Sequence, residues 1–266
     1  MDFLVISLVS AAVAALTLVS GFGLGTLLMP AFALFFPIEI AIAATGVVHF
    51  MNNLFKLVLV GRWARRDVVL RFGIPAVIAA FVGAALMTAM ADARPLHEYQ
   101  VGRMHAEITW LKIVIAALLA LFAGLELWPR YQEISFPRRV LPLGGALSGF
   151  FGGVSGMQGA LRAPFLLRAG LSREEFVGTT NVISTMVDVA RLLVYAAGFA
   201  WLAQQRDYAA LSEWRTLWLV AAACIAGFLG SYLGARFLKK VTMRGVRNLV
   251  AALLFVLAVA MAAGIV

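Results

Sequence analysis

Two glycine-rich stretches decide the fold: Ser20-Gly21-Phe22-Gly23-Leu24-Gly25, which leads to Pro30, and Ser155-Gly156-Met157-Gln158-Gly159, which leads to Pro164. Each stretch lies between apolar runs that are too long to be loops. Glycine weakens a helix because it loses backbone entropy, and proline breaks one because it lacks an N–H donor. Helix breaks at membrane depth expose backbone polar groups to a solute, an arrangement typical of membrane transporters.

The whole chain has the composition of a polytopic membrane protein. Of its 266 residues, 63% are apolar and 13% are charged, and the mean hydropathy is +0.94. A water-soluble domain of this length does not need so much apolar surface. The apolar runs leave no extramembrane region long enough to fold alone, so we expect a single membrane transport domain over residues 1–266.

Six apolar runs have the length of a membrane span, which takes roughly 20 residues. These runs cover residues 40–60, 68–90, 108–128, 174–201, 214–235 and 246–265. The runs 23–36 and 159–169 are shorter, and each follows one of the glycine breaks. We interpret each short run, together with the run before it, as a helical hairpin, re-entrant or nearly spanning, that returns to the side it entered from.

The order of these elements predicts an inverted repeat. One hairpin and three spans make an odd number of crossings, so the second hairpin enters from the opposite side to the first. The predicted fold is therefore an all-α polytopic membrane protein built from two repeats of opposite orientation, residues 1–128 and residues 139–266. Each repeat has one Gly-broken re-entrant helical hairpin and three transmembrane helices.

The loop charges support this topology by the positive-inside rule. With Gly61–Arg71 placed inside, the predicted inside loops carry 14 of the 22 Lys and Arg residues, and the outside segments carry five. Both termini are then outside, and the start Met1-Asp2-Phe3 has no basic n-region, so we expect no cleaved signal peptide. The net charge of +9 thus sets orientation and does not indicate a nucleic-acid partner.

The two halves also share an order of residues. Gly25–Pro30 aligns with Gly159–Pro164, and after a gap of one residue Ala44-Thr45-Gly46 aligns with Thr179-Thr180-Asn181. In this register the polar residues correspond in pairs: His49 with Ser184, Asn53 with Asp188, and Lys56 with Arg191.

On these residues the chain resembles the sulfite exporter TauE/SafE family, also called the toluene sulfonate uptake permease family. The resemblance rests on the doubled glycine break with its proline, on the turns Ala44-Thr45-Gly46 and Gly178-Thr179-Thr180-Asn181, and on the chain length. It covers nearly the whole sequence, although Gly25-Thr26 stands where the family commonly has a longer glycine run. The resemblance implies a secondary transporter of the bacterial inner membrane for sulfur-containing anions, of the organosulfonate or sulfite class.

Such a transporter has to replace the water around an anion. Helix N-termini supply unpaired N–H groups and a partial positive charge. We therefore expect Gly23, Gly25 and Gly159, at the starts of the short helices, to face the substrate. The alternative is that these glycines only permit close helix packing.

The span 40–60 carries a polar stripe at helical spacing. His49, Asn52, Asn53 and Lys56 lie at i, i+3, i+4 and i+7, so they share one face of the helix. We expect His49 and the two asparagines to donate hydrogen bonds to the anion. Five further residues near the second break are expected to complete the polar shell: Ser155, Gln158, Thr180, Asn181 and Ser184.

Three basic residues within the membrane segments are predicted to attract the anion. Lys56 and Arg191 are expected to act as gating residues on opposite sides of the site, and Arg162 to contact the anion directly. The alternatives are that Lys56 snorkels to the interface, that Asp188 neutralises Arg191, and that Glu126 or Asp188 pairs with Arg162.

Asp188 and His49 are the titratable groups predicted to carry a coupling proton. The three histidines and Cys224, the single cysteine, lack the spacing of metal ligands, so we expect no metal and no other cofactor. The predicted partners are a small anionic substrate and membrane lipid, and the oligomeric state stays open.

We expect a carrier that works by alternating access, in which one half moves against the other. Two other functions are possible interpretations of the same sequence. Gly153-Val154-Ser155-Gly156 matches the nucleophile motif of rhomboid proteases, but those place the base histidine after the serine, and no histidine follows position 105. An intramembrane enzyme is therefore the weaker alternative. A passive anion channel is the other, and it predicts single-channel current where a carrier gives slow, saturable flux.

Overall fold

The computed structural model describes residues 2–20, 28–29, 32–102, 104–128, 130–131, 134–205, 214–237 and 243–265. Most of these residues are helical. The helices are α1 (Asp2–Ser20), α2 (Ile38–Val60), α3 (Ile74–Asp92), α4 (Trp110–Leu127), α5 (Leu141–Ser155), α6 (Gly159–Leu166), α7 (Arg173–Gln205), α8 (Trp214–Phe237) and α9 (Met243–Ala262). The first glycine break, with Gly23 and Gly25, lies outside the described residues.

Three helical segments of the described chain are long and apolar enough to cross a membrane: Ile38–Trp63, Arg66–Asp92 and Arg173–Trp201. They coincide with the predicted spans 40–60, 68–90 and 174–201. The other three predicted spans coincide with α4, α8 and α9, whose apolar portions within the described residues are shorter. The prediction of a helical, polytopic membrane protein is confirmed at this level.

A β-hairpin between α3 and α4 was not predicted. β1 (His97–Val101) pairs antiparallel with β2 (Met104–Ile108), and Gly102 at the turn has a φ of 63°, which suits glycine. The prediction of an all-α chain is therefore wrong in this loop. The N–H of Glu107 donates to the carbonyl of Gly264 at 3.1 Å, so the hairpin and the C-terminal end of α9 lie at the same end of the protein.

The loops at the opposite end are joined by polar contacts. Arg65 follows α2, and its Nη1 lies 3.3 Å from Oε1 of Glu175 at the start of α7. The N–H of Arg65 donates to Thr179 Oγ1 at 2.9 Å, and Arg138, just before α5, pairs with Asp67. Two of the loops predicted to be inside, 61–71 and 129–139, therefore meet the start of α7 at one end of the helices.

Glycines bring two pairs of helices into backbone contact. Gly145, Gly149 and Gly153 of α5 face the segment that leads into and forms α3, and a Cβ on any of them would collide with a backbone carbonyl. The colliding pairs are Gly145 with Phe72, Gly149 with Ala76 and Gly153 with Ala80. Gly230 of α8 faces the carbonyl of Ala11 in α1 in the same way. Glycine is therefore required at these positions.

The helix contacts have an internal regularity. The main packed pairs are α3 with α5, α1 with α8, α2 with α7, and α4 with α9. In addition, α3 contacts α7 and α2 contacts α8. Suppose that α1, α2, α3 and α4 of the first half correspond, in this order, to α5, α7, α8 and α9 of the second half. Replacing each helix by its counterpart then turns the α3–α5 contact into the α8–α1 contact, and the α3–α7 contact into the α8–α2 contact. The same exchange leaves α2–α7 and α4–α9 unchanged.

Candidate functional site

The second glycine stretch forms a helix break. α5 ends at Ser155, and Gly156 has the left-handed φ of 79° that ends a helix. The N–H of Gly156 donates to the carbonyl of Gly152 at 2.9 Å, and α6 then begins at Gly159. A side chain at position 156 would be strained, and its Cβ would meet the guanidinium of Arg191.

The short helix α6 folds back along α5. Near the break, Ser148 Oγ of α5 donates to the carbonyl of Gln158 at 2.9 Å. Further from it, the ring of Phe165 in α6 packs against Gly144 of α5 and stacks on Phe136, with ring centroids 4.5 Å apart. Later residues of α6 thus touch earlier residues of α5, and the two helices form a hairpin with the glycine break at its tip. Re-entrance into a membrane stays a prediction.

Asp188 of α7 lies beside this tip at the centre of a buried polar cluster. Its side chain is 0% exposed. Oδ2 lies 2.7 Å from His49 Nδ1 and accepts from Asn53 Nδ2 at 2.8 Å, while Oδ1 accepts from Gln158 Nε2 at 3.3 Å and from Arg191 Nε at 3.0 Å. A buried carboxylate is stable only with such partners. One side chain therefore connects α2, the break and α7.

The contact between His49 and Asp188 requires a proton between them. Two unprotonated atoms would repel at 2.7 Å, so we assign the Nδ1–H tautomer to His49, which then donates to the carboxylate. Asn53 Nδ2 lies 3.1 Å from the same nitrogen, but its hydrogen bond goes to Asp188. The side chain of His49 is 13% exposed, and no described residue bonds to its Nε2.

Arg191 is fully buried and paired with Asp188, which is the alternative that the sequence left open. Its Nη2 lies 2.8 Å from Asp188 Oδ1, and its Nη1 has no partner among the described residues. The guanidinium fits between Gly46 of α2 and Gly156 of the break. One turn later the hydroxyl of Tyr195 donates to a carbonyl in the last turn of α5. The predicted gating role of Arg191 stays a prediction.

Arg162 of α6 is only 4% exposed and has no carboxylate partner among the described residues. Its Nη1 donates to the neutral Oε1 of Gln158 at 3.3 Å, and its Nε has no partner there. Gln158 therefore lies between Arg162 and Asp188, and the predicted alternative partner Glu126 has a side chain outside the described residues. Within the described residues, the hydrogen-bond partner of Arg162 is therefore a neutral amide.

Several predicted shell residues surround these charges. Asn181 Nδ2 donates to Asn53 Oδ1 at 3.3 Å, while Asn181 Oδ1 and Thr180 Oγ1 have no partner among the described residues. Asn52 and Ser184 are buried as well, being 1% and 4% exposed. Buried polar atoms without protein partners are uncommon, and they indicate room for water or a ligand.

Three other predicted site residues have more local surroundings. Ser155 Oγ donates to the carbonyl of Phe151 at 2.9 Å and accepts from the N–H of Met157 at 3.4 Å, so it stabilises the break. Gly159 is the first residue of α6. Lys56 is half-buried, one turn beyond Asn53 on α2, and no described residue pairs with it.

The sequence analysis missed three residues of this cluster. Gly46 and Tyr195 contact Arg191 and the break, and Thr45 is buried with a hydroxyl that has no partner among the described residues. The alignment of Thr45 with Thr180 was a signal for the threonine. Nothing in the sequence pattern singled out Tyr195.

Comparison with known proteins identifies a family. The model of the sulfite exporter TauE/SafE family matches residues 6–261, which is nearly the whole chain. This match confirms the resemblance seen in the glycine breaks and the threonine turns. A search of the curated proteins and a search of the solved structures each found no match.

Proposed function

The chain belongs to the sulfite exporter TauE/SafE family, and we propose that it is a secondary transporter of organosulfonates or sulfite that works by alternating access. Membership of this family makes membrane transport of sulfur anions its function. The observation that carries the finer proposal is Arg162, a buried guanidinium beside a helix break with no carboxylate partner among the described residues.

The groups around the break suit a sulfur oxyanion. The first turn of α6 leaves the N–H groups of Gly159, Ala160 and Leu161 without intrahelical partners, and the N-terminus of a helix favours negative charge. Arg162 adds a full positive charge next to Gln158. A sulfonate or sulfite offers several acceptor oxygens for such donors, and the charge-assisted bonds among them are the strong ones.

Alternating access needs two related arrangements of the same helices. The contacts described above are unchanged when α1 to α4 exchange with α5, α7, α8 and α9, which supports repeats over residues 1–128 and 139–266. The meeting of two predicted inside loops with the start of α7 at one end supports the proposed topology, with both termini outside in a bacterial inner membrane. Repeats of opposite orientation convert an outward-facing state into an inward-facing one by a symmetric motion.

We further propose that His49 and Asp188 form the proton-coupling unit. The imidazole keeps its Nδ1–H on the carboxylate, and no described residue bonds to Nε2, so Nε2 is the atom that receives the proton. Histidine is the side chain that exchanges protons most readily near neutral pH.

The test of the transporter proposal is uptake into proteoliposomes. The purified protein is expected to take up radiolabelled sulfite or sulfoacetate saturably, and Arg162→Gln is expected to weaken apparent affinity by at least about tenfold. That factor corresponds to about 1.4 kcal/mol, and a hydrogen bond to a charged group contributes about 1.5–3 kcal/mol. Arg168→Gln is the matched control, because Arg168 is an exposed arginine in the following turn.

The same preparation separates the two alternatives. Single-channel current in a planar bilayer would identify a channel and exclude the carrier. For an enzyme, Ser155 lacks a described base, since its hydroxyl bonds to Phe151 within its own helix and Nδ1 of His49 bonds to Asp188. Equal uptake by the native protein, Arg162→Gln and empty liposomes would refute the proposed function.

A further inference from the structure

The charges of the buried cluster do not cancel. Arg162 and Arg191 each carry a positive charge, and Asp188 carries the only negative charge among the described residues of the cluster. Both oxygens of Asp188 are occupied by donors, and one of them pairs directly with Arg191. Asp188 is therefore committed to Arg191. Among the described residues, no carboxylate contacts Arg162, so one positive charge of the cluster is in excess until an anion enters.

We propose that this surplus charge sets the valence of the substrate: a singly charged sulfonate is carried without a proton, and a doubly charged anion is carried together with one proton on His49. The inference rests on the proposed transport function and specifies its substrate class. A single negative charge beside Arg162 makes the occupied cluster neutral. A second one leaves a buried negative charge, which is strongly unfavourable in a low-dielectric site.

His49 is the described group that can take the balancing proton without breaking an ion pair. Protonation of Asp188 would release Arg191 and leave a second buried cation without a partner. Protonation of His49 at Nε2 keeps its Nδ1–H bond to Asp188 and adds attraction to it. The proton therefore enters at Nε2 and leaves from it, and no covalent bond other than N–H forms or breaks.

The charged and titratable groups on the neighbouring helices are consistent with this role. Asp188 of α7 contacts His49, Arg191 of α7 pairs with Asp188, α6 carries the buried Arg162, and α8 carries Cys224. On α2 itself, Lys56 lies two turns away. At the other end of α2, Glu39 is ten residues from His49, about 15 Å along a helix. Lys112 of α4 and Asp92 of α3 belong to that same end, beside the β-hairpin.

A matched pair of substrates isolates valence. Sulfoacetate and its carboxamide have the same carbon skeleton and the same sulfonate, and they differ by one carboxylate charge. Proteoliposomes with a clamped membrane potential would be loaded with a pH-sensitive dye, and uptake of each labelled compound would be measured over a range of external pH. We expect internal acidification to accompany sulfoacetate, one proton per anion, and none to accompany the carboxamide.

His49→Gln is expected to lower the uptake of sulfoacetate relative to the carboxamide by at least about fivefold, the lower end of typical coupling between two ligands. His97→Gln, in the exposed β1, is the matched control and is expected to leave the ratio unchanged. Equal acidification with both compounds, or the same ratio in His49→Gln as in the native protein, would overturn the inference. The acidification is measured on the native protein, so a variant that fails to fold does not remove the test.

The outcomes also distinguish this inference from the proposed function. If sulfoacetate, its carboxamide and sulfite all fail to enter the liposomes, the proposed transport function is wrong, and the inference about valence is wrong with it. If both compounds enter with the same proton dependence, the transporter stands and only the valence rule is wrong.

Discussion

Asp188→Asn tests whether the buried cluster holds the helices together. The substitution keeps the shape of the side chain and removes the negative charge that Arg191, His49, Asn53 and Gln158 share. Both members of the Asp188–Arg191 pair are 0% exposed. Removal of one partner from a buried pair costs about 3–5 kcal/mol because the other charge stays buried. For a protein of this size the unfolding temperature should fall by roughly 6–20 °C.

The measurement is thermal unfolding of the purified protein in detergent, followed by intrinsic fluorescence. The control is Asp67→Asn, which breaks the pair with Arg138, whose members are each 41% exposed. An exposed pair contributes only about 0–1 kcal/mol. The double substitution Asp188→Asn with Arg191→Met should recover much of the loss, since it removes the orphaned cation. A decrease no larger than in Asp67→Asn, or no recovery in the double variant, would refute the argument that charge pairing at Asp188 stabilises the fold.

Two glycine substitutions probe the break and the packing. Gly156→Ala should lower both the unfolding temperature and sulfite uptake by more than Gly170→Ala does. Both glycines have a positive φ, 79° at Gly156 and 73° at Gly170, so backbone strain is similar in the two variants. Only at position 156 does the new Cβ meet Arg191, whereas nothing lies within 4 Å of a Cβ at position 170. Equal effects of the two variants in the melting and uptake assays would show that backbone strain alone matters. Gly149→Ala should prevent folding or reduce the melting temperature strongly, because its Cβ would enter the carbonyl of Ala76. Gly124→Ala has open space, so it should be neutral or stabilising by up to about 1 kcal/mol. A melting curve of Gly149→Ala like that of Gly124→Ala would contradict the close packing of α5 on α3.

The parts of the fold that sequence predicted depend on local chemistry. Apolar run length predicted the long helices Ile38–Trp63, Arg66–Asp92 and Arg173–Trp201, because a membrane span sets a minimum length. Glycine chemistry predicted the break after Ser155, since the left-handed backbone at Gly156 disfavours other residues. These features need no knowledge of which helix packs on which.

The internal alignment went further and identified residues that meet in space. It paired Asn53 with Asp188, and in the structure Asn53 Nδ2 lies 2.8 Å from Asp188 Oδ2. When a twofold pseudosymmetry axis relates two halves of a protein, corresponding residues that lie next to the axis contact each other. Contact between these two residues is therefore expected if such an axis runs between α2 and α7.

The features that sequence did not predict depend on distant partners. The full burial of Arg191 follows from Gly46 and Gly156, which are distant in sequence and leave space for its guanidinium. The β-hairpin escaped notice because His97–Val101 and Met104–Ile108 contain few of the β-branched and aromatic residues that mark a strand. Its strands are ordered by each other and by the carbonyl of Gly264, a partner more than 150 residues away in the chain.

The contacts also indicate where an alternating-access motion can occur. The α3–α5 and α1–α8 interfaces are backbone contacts through glycine, and a shift there would separate many closely packed atoms at once. Each of these interfaces joins a helix of residues 1–128 to one of residues 139–266. The α2–α7 interface differs, because His49 and Asn53 hold Asp188 by hydrogen bonds that water or a substrate oxygen can replace.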